Sequence, residues 1–202
     1  NLASRAKNVP CEFNIISKAE ARDLHPWANF DEARIIASTP NDGHVDPTSV
    51  AMPLAQLARA KGAEISRFNR VIEINPLTSG EWQGVTEKGT ITAEHVVNAA
   101  GCFAPEVSAM IGVTLPIVNL EHQYLVTENH SSLAESASEL PVLRDSSCSA
   151  YLRQEAQGLL VGPYETYGSK PWALSGMDWN FDRELFPGDL ERLMPFLDRC
   201  ME

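Results

Sequence analysis

Apolar residues recur along this chain with two periods, one near 3.6 and one of 2, in an order that predicts a mixed α/β protein. Ser17 followed by Glu20 reads as a capping box opening a short helix over 16–22, which ends before His25-Pro26. Asp42-Gly43 predicts a turn. Asp46-Pro47 then predicts a helix start, and Val50, Leu54, Leu57 and Ala58 form an apolar stripe running to a stop at Gly62. Pro53 inside this stretch predicts either a bend or a later start. Four short β-type runs follow, over 64–68, 71–74, 82–86 and 90–98, separated by turn residues such as Asn75-Pro76 and Ser79-Gly80. The stretch from His95 to Gly101 reads as a buried strand ending in small residues. A helix over 104–111 comes next, with Pro105 in its first turn and Gly112 closing it.

The last third of the chain is β-rich. Residues 117–127 predict one long strand, followed by a polar segment over 131–139. Runs at 150–154 and 159–161 predict a hairpin around Gln157-Gly158, and a loose Gly/Pro/Trp segment fills 162–180. Asp189 predicts the cap of a final amphipathic helix with Leu190, Leu193, Phe196 and Leu197 on one face, interrupted or bent at Pro195.

Charge narrows the function classes. With 27 acidic and 16 basic side chains the formal net charge is −11, which argues against a nucleic-acid or anionic-membrane partner. No apolar run reaches the ~18 residues a spanning helix needs. The four cysteines contain no Cys-x-x-Cys pair, and the 202 residues are too many for so sparse a disulfide framework, so free thiols in a reducing compartment are expected. The five scattered histidines form no ligand pair, so no metal site is predicted. The 12 glycines include no Gly-x-Gly, and hence no dinucleotide or phosphate fingerprint; no Gly-x-Ser-x-Gly elbow occurs either.

Three clusters can carry chemistry. The small residues Asn98-Ala99-Ala100-Gly101 at the end of a strand either admit a ligand close to the backbone or serve tight strand-to-helix packing. His122 and Tyr124 share one face of the predicted strand, lining a cavity or merely a wet surface, with Glu121 and Gln123 on the other side. Tyr151, Arg153 and Glu155 likewise share a face. Arg153 there is suited to a substrate carboxylate, or else to an ion pair with Glu155 or Asp145. Tyr164 adds an aromatic after the hairpin.

Six segments occur in a familiar order: 41–47 (Asn-Asp-Gly-His-Val-Asp-Pro), 96–103 (Val-Val-Asn-Ala-Ala-Gly-Cys-Phe), 121–127 (Glu-His-Gln-Tyr-Leu-Val-Thr), 140–145, 151–155 and 158–165. With these, the chain resembles the FAD-dependent dimethylglycine/sarcosine dehydrogenase family, within the glycine- and D-amino-acid-oxidase-like fold, from about residue 16 onward. The resemblance implies an α/β (mixed α+β) fragment: the central part of an FAD-binding domain (46–112) interleaved with an antiparallel-sheet substrate domain (1–45 and 113–202), truncated at both ends. It implies FAD contacts at Val71, Ala99, Ala100, Gly101 and Phe103, the last in place of the family's usual Trp. It also implies His122 and Tyr124 as catalytic residues facing the flavin, with Arg153 and Tyr151 binding substrate. The implied reaction is oxidative N-demethylation of a small N-methyl amino acid, a hydride passing from the N-methyl carbon to FAD. The iminium product hydrolyses or gives its carbon to tetrahydrofolate held by a further C-terminal domain. An electron-transfer flavoprotein is an implied partner, and the bacterial cytoplasm or the mitochondrial matrix the implied location. A non-catalytic, phosphatase-regulatory-subunit type of relative is the alternative. Asn1 in place of Met, a start without a signal-peptide core, and the lack of the family's glycine-rich flavin segments make an interior fragment with weak FAD binding of its own the expectation.

Overall fold

The computed structural model describes residues 11–134, 138–182 and 184–201. The chain start, the middle of the polar 131–139 segment and Glu202 therefore lie outside the described residues. The described chain is mixed α/β with antiparallel sheets, as the hydrophobic periods predict. It divides into two compact units. Unit 1 comprises 1–47, 122–168 and 188–202, and unit 2 comprises 48–121 and 169–187.

Unit 1 contains β1 (Asn14–Ile16) paired antiparallel with β2 (Ile36–Ser38), and α1 (Lys18–Leu24) between them in sequence. Ser17 caps α1 in a complete capping box with Glu20, and the two hydrogen bonds from Ser17 hold the Glu20 carboxyl below its ordinary value. Its larger sheet runs β7 (Leu125–Val126), β10 (Gly158–Pro163), β9 (Ala150–Glu155) and β8 (Leu143–Asp145) in spatial order. The hairpin joining β9 and β10 turns at Ala156-Gln157, one residue earlier than predicted, with Ala156 at φ +53. Gly158 is thereby the first residue of β10. A Cβ there would lie 2.8 Å from the Thr127 carbonyl oxygen, which accounts for the glycine.

The core of unit 1 forms where the unit's C-terminal helix, α5 here (Leu190–Met201), packs on β10. Asp189 caps it as predicted, its Oδ1 accepting from the Arg192 N–H at 3.1 Å. Leu193, Phe196 and Leu197 are buried, whereas Leu190 is 58% exposed and sits off the core stripe. Pro195 lies within the helix without ending it. Cys200 donates to the Phe196 carbonyl, and burial, then the neighbouring Cys148 thiol, push its pKa up to about 12. All four cysteines are free thiols; Cys148 is buried and Cys11 exposed.

Unit 2 holds α2 (Pro47–Ala60), which begins at Pro47 and continues through Pro53. Gly62 at φ +92 ends it in a Schellman turn, with Ala63 N–H bonded to Ala58 O and Gly62 N–H to Arg59 O. No α2 residue is buried: Val50, Leu54 and Leu57 are 41%, 60% and 58% exposed, so the predicted stripe is present but uncovered. The β-meander β3 (Val71–Pro76), β4 (Trp82–Thr86) and β5 (Gly89–Ala93) matches the predicted runs, with a register shift between Val71 and Glu73. A short 3-10 turn (Gly101–Phe103) leads into α3 (Ala104–Ala109), and Gly112 at φ +74 closes that helix. β6 (Asn119–Leu120) pairs with β11 (Pro171–Trp172), and α4 (Ser131–Ala134) is a single turn in unit 1.

Four expectations fail for identifiable reasons. The 64–68 run is not a strand, because Phe68 at φ +51 breaks the extended chain and Asn69 and Arg67 are engaged by Lys88 instead of a ladder. Residues 95–100 form no strand and are not buried, since no described strand pairs with them; Val97 is 85% exposed. The 117–127 run is two short strands, because β6 and β7 find different partners and 122–124 pairs with no described strand. The turn predicted at Asp42-Gly43 centres on 39–42, where the Asp42 N–H reaches the Thr39 carbonyl at 3.0 Å. Among the described residues no helix is long and apolar enough to cross a membrane, and no cluster of metal-ligating side chains occurs.

Candidate functional site

In unit 1 the extended chain through His122 and Tyr124 keeps strand-like alternation without a pairing partner. His122 and Tyr124 are exposed, while Glu121, Gln123 and Leu125 are half-buried. The His122 ring stacks on Tyr164, with centroids 5.6 Å apart and planes 20° from parallel. Tyr164 in turn meets Tyr151 at 5.8 Å. Burial first, then Tyr164, raise the pKa of the Tyr151 hydroxyl; Arg153 opposes them, and Tyr124 adds a smaller push upward. The structure thus brings His122, Tyr151 and Tyr164 together, with Tyr124 near enough to act electrostatically on Tyr151.

Gly162 makes room for this cluster. It lies opposite Tyr151 in the β9–β10 register, and a Cβ built on it would fall 2.2 Å from the Tyr151 ring. The glycine therefore lets the ring lie across the neighbouring strand. Arg153 shares the Tyr151 face, but its guanidinium is bonded to Glu155 at 2.5 Å and approaches His44 Nε2 at 3.5 Å. Of the two ion-pair partners the sequence offers, Glu155 is the one Arg153 takes.

In unit 2 the small-residue segment is irregular and held by side chains. Asn98 donates to Ala104 O and Ser108 Oγ, each at 2.9 Å, and accepts from the Ala100 N–H at 3.2 Å. Ala99 and Gly101 are exposed; Gly101 sits at φ +58, and a Cβ there would meet nothing within 4 Å. Exposed surface is therefore open to a ligand at Ala99 and Gly101, on either side of the half-buried Ala100. Phe103 stacks on Trp179 at 5.3 Å, nearly parallel, and the Arg70 guanidinium lies over the same indole at 5.4 Å. Trp179 thus joins Phe103 to the residue preceding Val71. The sequence reading missed it, since a Trp in a loose segment carries no periodic signal.

A cleft of about 390 Å³ in the same unit lies elsewhere, lined by Pro105, Glu106, Ile117, Trp172 and Leu174 among others; none of the five predicted cofactor residues lines it. Glu106 accepts the Met177 N–H at 2.6 Å through Oε1, and its buried Oε2 has no partner.

Comparison with known proteins decides the class. The profile of the family described as FAD dependent oxidoreductase matches residues 1–202. The chain belongs to that family. It is 39% identical over 192 residues to the mitochondrial dimethylglycine dehydrogenase of Mus musculus, covering 93% of this chain and 22% of that protein. To the mitochondrial sarcosine dehydrogenase of Homo sapiens it is 32% identical over 211 residues, covering 98% of this chain and 22% of the relative. The chain therefore spans 22% of the length of these relatives. Among solved structures, L-proline dehydrogenase from P. horikoshii superposes with a TM-score of 0.72 at 22% identity, over 98% of this chain and 50% of that one. This FAD-dependent oxidoreductase chain thus bears out both the family resemblance and the mixed α/β fold read from its sequence.

Proposed function

We propose that the intact protein is an FAD-dependent amine dehydrogenase or oxidase that N-demethylates a small N-methyl amino acid of the dimethylglycine or sarcosine type. The observation that carries the substrate class is the 39% identity to a dimethylglycine dehydrogenase along 93% of this chain. In this reading 46–112 is a piece of the FAD-binding domain and 1–45 and 113–202 are pieces of the substrate domain, although the compact units group 113–121 and 169–187 with 48–112. The names of the relatives favour a mitochondrial matrix location, with the bacterial cytoplasm the other possibility.

The unit 2 residues fit a flavin nucleotide. The segment Ala99, Ala100 and Gly101, exposed at Ala99 and Gly101, and the Phe103–Trp179 stack would hold it, together with the Val71 backbone at the bulged start of β3. When bound, FAD supplies the two-electron acceptor. The chain's own residues do the rest. His122 and Tyr124 present an imidazole and a phenol to the amine, keeping its nitrogen unprotonated and the methyl group oriented. Tyr151 walls the same face, and Arg153 takes the substrate carboxylate in competition with Glu155.

In the full-length protein, His122→Ala and Tyr124→Phe are expected to lower kcat on dimethylglycine or sarcosine by about 100-fold, the usual worth of a positioned acid–base group, with flavin content unchanged. Wild-type kinetics in both variants refute the site. A purified full-length protein without flavin absorbance refutes the enzyme reading.

A further inference from the structure

We propose that Gln123 is the positioning residue of the His122/Tyr124 segment, acting as a side-chain substitute for the missing strand ladder. The Glu121 N–H still bonds the Lys170 carbonyl at 2.9 Å, but residues 122–124 pair with no described strand, so no ladder fixes which way His122 and Tyr124 point. A segment of that kind ordinarily samples several conformations. Here the half-buried Gln123 amide is fully engaged. Its Nε2 donates to the Asp189 carbonyl and to Glu165 Oε1, each at 3.1 Å, and its Oε1 accepts the Asp189 N–H at 3.1 Å. Only one orientation of the amide satisfies this set, because two of the three partners only accept and the third only donates.

The anchor points are rigid. Glu165, with its side chain 2% exposed, is bound by Arg192 Nε at 2.8 Å, the arginine side chain being 11% exposed. Asp189 caps α5, whose Leu193 and Phe196 are fully buried. Two successive contacts then tie one strand-like segment to the other: Gln123 to Glu165, and His122 to Tyr164. The amide holds the inward-facing position, and by alternation the flanking residues are turned outward together. The paired hydrogen bonds to one backbone residue also set the segment against the first turn of α5, so the catalytic candidates inherit the immobility of the core.

The roles of His122 and Tyr124 rest on the function proposed above; the clamp itself does not. The test uses the full-length protein carrying Gln123→Met, which keeps the length of the side chain and removes all three hydrogen bonds. Expected are a kcat lower by about tenfold or more, as for a misplaced catalytic group, a KM within about twofold, and unchanged flavin content. In the variant's crystal structure the His122 ring is expected to leave Tyr164. Gln123→Asn, which keeps the amide but shortens its reach by one methylene, supplies the same measurements if the methionine variant does not fold. A His122–Tyr164 stack retained in the variant overturns the proposal whatever the kinetics. So does a lost stack with unchanged kcat when His122→Ala lowers it. If His122→Ala and Tyr124→Phe both leave kcat unchanged, the functional reading fails, and the stack alone decides the clamp.

Discussion

Gly162→Ala offers a test in which the sign of the effect, and not only its size, depends on one neighbour. An alanine Cβ would sit 2.2 Å from Tyr151 Cζ and 2.5 Å from its hydroxyl oxygen. Ordinary carbon contacts are about 3.5–4.0 Å, so the ring has to give by more than about 1 Å, or the strands have to part. Overpacking of this kind costs about 1–3 kcal/mol. The atoms in the way belong to the far end of a side chain, so they can be removed. In a Tyr151→Ala background the clash is gone, and Gly162 is absent from the residues at positive φ, so alanine fits its backbone. The substitution should then be neutral or stabilising, by up to about 1 kcal/mol, because alanine restricts the unfolded chain more than glycine does. The predicted coupling between the two positions is therefore about 1 kcal/mol or more, well beyond the additivity expected of independent sites. Gly158→Ala, four residues earlier in the same strand, is the control. Its Cβ would meet the Thr127 carbonyl oxygen at 2.8 Å and the Glu128 carbonyl oxygen at 3.1 Å, which are backbone and cannot be mutated away. Its cost should be the same with or without Tyr151. Urea titration of the four Gly162/Tyr151 variants, followed by circular dichroism, measures the cycle. An equal penalty for Gly162→Ala in both backgrounds refutes the claim that glycine is there to seat the ring.

His25 is 3% exposed with neither ring nitrogen bonded, and burial depresses its pKa below the ordinary 6.5. Because the folded value is the lower one, its contribution to stability is complete above pH 6.5 and is lost as pH falls below that value and through the folded pKa. Denaturation midpoints measured between about pH 5 and 8 should fall on the acid side in the wild type and less so in His25→Phe; identical pH slopes would show the residue to be irrelevant. Phe196→Ala, at a side chain 1% exposed, should cost about 3–5 kcal/mol, whereas Leu190→Ala, at 58% exposure, should stay within about 0.5; equal effects in the same titration would contradict the burial that defines the core.

Signals that act within a few residues were legible in the sequence. Ser17 with Glu20, Asp189, Gly62 and Gly112 each act on backbone groups one turn away, and each marks a real helix end. The β9–β10 hairpin was legible for the same reason, with its turn one residue earlier than predicted. What depends on distant partners was not. The valines at 96 and 97 have strand composition but no strand to pair with, and the 117–127 run is divided because its ends pair with β11 and β10. The α2 stripe has the correct period, yet period reports which side is apolar and not whether anything covers it. At the site, alternation placed His122 with Tyr124 and Tyr151 with Arg153 correctly. The contacts that organise them, Tyr164 on His122 and Gln123 on Glu165 and Asp189, span 42 to 66 residues of sequence and carry no local pattern.

The thiol at the end of α5 has a practical consequence. Thiol reagents attack the thiolate, and a Cys200 pKa of about 12 leaves almost none of it at neutral pH, while Cys148 is shielded by burial. Maleimide chemistry should therefore address exposed Cys11 first, and react slowly with Cys200 on α5 and with buried Cys148. Buried Cys148 becomes an unfolding clock: a label appears there only when its cover opens, so the rate of its capture reports how often the core beside α5 comes loose.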